Sequence, residues 1–177
     1  MKRVLQTVVM SATLTLALAP LAHAQVKDAW ITAKTKIDLM TTDGVRTADL
    51  NVDTVDGVVT LHGHVPTTMQ RDRAADVAKS VKGVKSVNNL LQVVTAAQED
   101  RVEANDASLK AAVERALKSN PSLEKSDIHV ASVNKGVVLL AGNASDIFEQ
   151  LHAVESAYTV KGVHHVAATE VKLKSTE

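Results

Sequence analysis

The strongest constraint on the fold is that the chain contains one stretch twice. Gly57 to Val87 (GVVTLHGHVPTTMQRDRAADVAKSVKGVKSV) is answered without a gap by Gly136 to Val166 (GVVLLAGNASDIFEQLHAVESAYTVKGVHHV). Gly57, Val58, Val59, Leu61, Gly63, Ala74, Ala78, Val81, Lys82, Gly83, Val84 and Val87 recur as identical residues at one constant spacing. These are turn glycines, core-sized apolar residues and helix-end residues, and none is chemically reactive. Such a repeat specifies two copies of a fold rather than one catalytic centre.

Upstream of the repeat, DAWITAKTKIDLM (28–40) and DASLKAAVERALK (106–118) also correspond. Ile31, Thr35 and Leu39 match Leu109, Val113 and Leu117, an i, i+4, i+8 row that marks one helix face. Asp28 is expected to cap the first of these helices. Leu50 and Val52, or Ile128 and Val130, then alternate as in a strand. Asp56-Gly57 is a two-residue hairpin signal. Asn134-Lys135-Gly136 reads as a turn longer by one residue, which accounts for a one-residue change in the spacing of the copies. A second helix follows in each copy, over about 67–81 and 145–160, with Ser145 as a cap and Gly83 or Gly162 at its exit. In the last strand Leu91 and Val93 answer Val171 and Leu173, a further residue out of step, so a β-bulge is expected in the second copy.

Each unit is therefore an αββαβ arrangement of the α+β class, a three-stranded mixed sheet covered on one face by two helices. The expected boundaries are 25–94 and 106–175, joined by a polar, partly helical linker over 95–105. Aromatic residues are only 2% of the chain, so the cores must be built from Val, Leu, Ile and Ala. Residues 1–24 read as a cleavable secretory leader, with Lys2 and Arg3, an apolar run, and Ala22-His23-Ala24 before Gln25. The chain has no cysteine, hence no disulfide and no thiol to carry a lipid anchor. These features predict a periplasmic protein that is neither lipidated nor integral to the membrane.

The element order, the G-V-V-x-L-x-G hairpin arm, the A-x-x-x-A helix and the K-G-V-x-x-V exit resemble the BON domain, here in tandem. That resemblance implies phospholipid or envelope association under stress, with chaperone-like or adaptor binding of secreted proteins as the alternative. It implies no catalytic residues and no cofactor.

The residues themselves agree. No nucleophile elbow, phosphate loop or His-Glu-x-x-His is present, so no enzyme is expected. Loss of Lys2 and Arg3 with the leader leaves a slightly acidic chain. It has little to offer phosphates or bases, and nucleic acid is not an expected partner. His62 and His64 share a strand face, but Ala141 and Asn143 replace them in the other copy, and they read as packing or solvated histidines rather than metal ligands.

Two apolar surpluses remain. Ile147, Leu151, Val154 and Tyr158 make an extra stripe on the second helix of the second copy, where the first copy has Thr68, Asp72, Ala75 and Lys79. Trp30, Ala33, Ile37 and Met40 make another on the first helix of the first copy, opposite Ser108, Ala111, Arg115 and Lys118. Docking of the repeats through these stripes, a lipid or partner surface on the first stripe with Lys161 beside it, and a broader core are all open readings.

Overall fold

A computed structural model describes the backbone of residues 21–174 and the side chains of residues 27–174. The expected leader falls outside the described residues, except for its last few, which open the first helix. The first repeat runs α1 (Leu21–Thr41), β1 (Leu50–Val55), β2 (Val58–Val65), α2 (Thr68–Ser80), β3 (Ser86–Asn89) and β4 (Gln92–Val93). The second runs α3 (Glu99–Lys118), β5 (His129–Asn134), β6 (Val137–Ala144), α4 (Ile147–Tyr158) and β7 (His165–Leu173).

In both, an antiparallel hairpin is joined by a parallel final strand that returns after the second helix. The last strand of the first repeat is interrupted at Leu90–Leu91, and β3 and β4 pair in turn with β2. The helices bury the faces their periodicity marks, Ile31, Thr35 and Leu39 on α1 and Val113 and Leu117 on α3. Against them stand alternate strand residues, Val59, Leu61 and Val65 in β2 and Val138 and Leu140 in β6. Each fully buried Leu or Val contributes about 2 kcal/mol of apolar transfer. Ala74 and Ala78, matched by Ala153 and Ala157, let the second helix lie close on its sheet.

One glycine in each copy is required by a close approach. At Gly63 (φ +107) a Cβ would stand 1.9 Å from the Asp49 carbonyl oxygen, and at Gly142 (φ +122) it would stand 2.2 Å from that of Asp127. The chain entering the hairpin packs backbone to backbone there, and the His64 amide donates to Asp49 O at 3.0 Å. This is why the hairpin arm ends in glycine twice.

Several local expectations change. Asp28 lies inside α1 rather than at its start, and its carboxylate accepts the amides of Asp56 at 2.7 Å and Gly57 at 2.9 Å. It caps a hairpin, not a helix. Asp106 does the same for Lys135 at 3.0 Å, because α3 begins at Glu99 and takes in most of the polar stretch read as a linker. The cap of α4 is Asp146, whose side chain accepts the Glu149 amide at 2.8 Å; Glu149 in turn accepts from the amide and hydroxyl of Ser145.

The second hairpin turn is not the longer one. Lys135 and Gly136 both have positive φ, as do Asp56 and Gly57, and Asn134 pairs with Val137 as Val55 pairs with Val58. The extra residue is absorbed as a bulge at Ala131, between the Val130 and Ser132 pairings of β5. The second insertion does fall in β7: Leu139 pairs with Ala167, and Ala141 already with Glu170.

The repeats meet sheet to sheet, with their helices on the outer sides. Thr60 Oγ1 lies 3.4 Å from Thr169 Oγ1, and Asn88 Nδ2 donates to Thr169 at 3.3 Å. Leu139 alternates with the core residues Val138 and Leu140, points away from its own core, and is nevertheless buried. Its burial comes from the first repeat, whose β1 and β2 approach β7 and β5. Both one-residue insertions of the second copy thus lie on strands that touch the first.

Candidate binding surfaces

Because the sheets consume each other's open faces, the apolar helix rows are left outside. Trp30 is 51% exposed, Ile37 55% and Met40 72%, and Ala33 between them is exposed as well. The expectation that the repeats dock through the two rows is therefore replaced by docking through strands. The two rows are not brought together, although Ala33 of the α1 row borders the cavity between the repeats.

At helical spacing Trp30, Ala33, Ile37 and Met40 fall within one quadrant of α1, opposite buried Ile31, Thr35 and Leu39. Lys27 and Lys34 flank that quadrant on one side and Lys36 on the other. The nearest acid on this side, Asp38, is paired with Lys34, and Asp28 is turned inward on the hairpin. The exposed face is thus an apolar strip with a basic border.

On α4 the predicted stripe divides. Val154 packs on the second core, and the Tyr158 hydroxyl accepts the Val166 amide at 3.1 Å, tying the helix end to the start of β7. Ile147 and Leu151 remain about half exposed. Lys161 is exposed but lies beyond the far end of this helix, whose last residue, Tyr158, is already about 16 Å from Ile147 along the axis. The residue that completes the patch is Phe148, 67% exposed. It lies off the stripe that periodicity marks, and the signal for it in the sequence is Met69, which occupies the same place in the first copy and is exposed too. Around Phe148 stand Glu124, Lys125, Asp146 and Glu149. Glu149 is itself buried, its carboxyl held below its ordinary range by the hydroxyl and amide of Ser145, and the exposed border of the patch, Glu124 and Asp146 against Lys125, is weakly acidic.

Where α3 leaves the first repeat, Arg46 Nη2 donates to Asp49 at 2.9 Å and also to Glu99, with His64 Nε2 3.4 Å from Glu99. Glu103 stands beside them, one carboxylate oxygen each from Asp49, Glu99 and Glu103 and a ring nitrogen of His64 lying within 4.8 Å of one another. Bonding to Arg46 holds the Glu99 carboxyl low, and Glu99 raises Arg46 in return. A cation already sits among the carboxylates, and the cluster is a closed ion-pair network that fastens α3 to the first repeat. The other histidine of the strand, His62, lies between the sheets with Nε2 2.8 Å from Asp53.

No helix among the described residues is long and apolar enough to cross a membrane. The fold and its surfaces define a tandem α+β protein with exposed apolar helix faces. The chain belongs to the BON-domain family, whose domain model matches residues 27–95 and 105–175. Osmotically-inducible protein Y of Escherichia coli (strain K12) is 33% identical over 141 residues, which are 78% of this chain and 69% of that protein. Among solved structures, the C-terminal domain of CdsD, a structural protein of the type III secretion system of Chlamydia trachomatis, is 17% identical, with 83% of this chain and 67% of that one covered at a TM-score of 0.30. A second CdsD structure is 16% identical at a TM-score of 0.28, covering 81% and 92%. Neither structural likeness bears on how this chain functions.

Proposed function

We propose that this chain is a non-enzymatic, osmotic-stress-type protein of the bacterial periplasm that associates with anionic phospholipid through α1. The stress assignment rests on the relative's name, and the compartment on the leader read in residues 1–24. The observation that carries lipid association is the exposed Trp30–Ile37–Met40 row with Lys27 and Lys34 along one side. A helix of this kind lies in the membrane interface, its apolar side among acyl chains and its lysines toward anionic head groups. Each lysine near such a surface contributes about 1 kcal/mol, and Lys34 is partly spent on Asp38. Charge alone is therefore too weak, and insertion of the apolar row must supply most of the affinity. Co-sedimentation with phosphatidylglycerol vesicles tests this. Wild type should pellet, Ile37→Asp should stay in solution with its fold intact, and equal pelleting of the two would rule out α1.

The weakly acidic border of the α4 patch favours a second reading for that surface. Ile147, Phe148 and Leu151 fit an apolar segment of a protein better than an anionic bilayer, as expected of a periplasmic chaperone or adaptor. Suppression of aggregation of an unfolded outer-membrane protein, lost in Leu151→Asp, is the corresponding measurement.

A further inference from the structure

Two ionisable side chains from different repeats are shut between the sheets. Glu170 of β7 is 7% exposed and His62 of β2 is 6% exposed. Each keeps one buried polar atom without a partner, Glu170 Oε1 and His62 Nδ1. Buried polar atoms are nearly always satisfied, so a pair of orphans in one interface calls for a physical reason. Glu170 is there because of an insertion. The β7 bulge falls between the Ala167 and Glu170 pairings, so that Thr169 and Glu170 both reach the first repeat, where simple alternation would turn one of them toward its own core.

The groups around Glu170 come from several elements. Asp53 of β1 is bonded to His62, Thr60 and His62 project from β2, and Lys172 follows on β7. The adjoining cavity between the repeats brings up Asp28 and Lys36 of α1 and His129 of β5. Burial raises the Glu170 carboxyl above its ordinary 4.5; the Thr60 hydrogen bond opposes this, Asp53 adds to it, and the charges of His62 and Lys172 do not cancel it.

We propose that this cluster is a proton-dependent latch, in which the repeats stay closed while Glu170 holds a proton and separate more readily once it is ionised. An ionised carboxylate with an unpartnered oxygen is costly between two sheets, and separation returns it to water. The closed state binds the proton more tightly than the open one. Closure is therefore fully favoured below pH 4.5 and weakens as pH rises through the elevated value. Asp53 acts in a different window. Its bond to His62 holds it below its ordinary 3.8, so its contribution is present above that value and fades only in stronger acid.

The chain has no cysteine, so Asp76→Cys on α2 and Glu155→Cys on α4, both on exposed side chains, allow spin labels to be placed in the two outer layers of the full chain. Distance distributions are then measured at pH 4.5, the ordinary carboxyl value, and at about pH 8, well above it. Wild type should show one short population in acid and a larger long-distance population at the higher pH. Within the transition the open-to-closed ratio should grow up to about tenfold per pH unit, the limit for one proton. Glu170→Gln, close to isosteric and uncharged, should stay closed at both. Identical wild-type distributions at the two pH values would overturn the latch. So would a pH response that survives in Glu170→Gln.

Discussion

The carboxylate of Asp28 in α1 accepts the backbone amide of Gly57 at 2.9 Å, locking a helix to the tip of a hairpin. Asp28 is buried, so Asp28→Ala strands the Asp56 and Gly57 amides in a protected place. Hydrogen bonds to a charged group are worth about 1.5–3 kcal/mol, and urea unfolding should show a loss of that size. Asp106→Ala should cost less, since Asp106 is only half-buried.

Thr35 carries the opposite expectation. Its hydroxyl is buried on α1 without a partner, and the second copy has Val113 at this position, fully buried. Thr35→Val removes an unsatisfied polar group at nearly constant shape and should stabilise the chain by about 1 kcal/mol, read as a raised urea midpoint with unchanged slope.

Gly63→Ala and Gly142→Ala should be among the most damaging single-methyl additions. Each drives a Cβ into a backbone carbonyl, which cannot rotate away as a side chain could, and each sits at a φ that an L residue rarely adopts. A cost of about 3 kcal/mol or more is expected from strain and overpacking together, measurable as a lowered thermal midpoint.

Deletion of Thr169 tests the bulge in β7. It removes the residue by which the second copy exceeds the first and with it the bonds to Thr60 and Asn88. Each repeat should keep its circular dichroism while the spin-label distance between the outer helices broadens. A narrow wild-type distance in the deletion would show that the bulge is not what holds the sheets together.

The two cores and their order were legible in the sequence because the same physics is written twice. Periodicity, turn glycines and alanine helix faces recur, and any one could be checked against its copy. The step in spacing at β7 was legible as a bulge for the same reason. The step at Ala131 is legible in number but not in position, since a count of residues fixes how many are inserted but not where the ladder absorbs them. Asp28 looked like a helix cap because it opens the periodic run, and only the extension of α1 upstream shows otherwise. The docking mode was hidden more deeply. Thr60, His62 and Thr169 alternate as solvent-facing residues would, and nothing local says that another sheet will cover them. Once it does, the rows on α1 and α4 change from residues with several open readings, docking among them, into outward surfaces.

The most direct measurement concerns that change. Trp30 is the single tryptophan and stands in the exposed row, so its emission reports on α1 alone. The chain from Gln25 onward is titrated with phosphatidylglycerol vesicles and, separately, with phosphatidylcholine vesicles. Lipid association through α1 predicts a blue shift with the anionic vesicles, little with the neutral ones, and none in Ile37→Asp. Unchanged Trp30 emission at saturating anionic lipid would contradict the account.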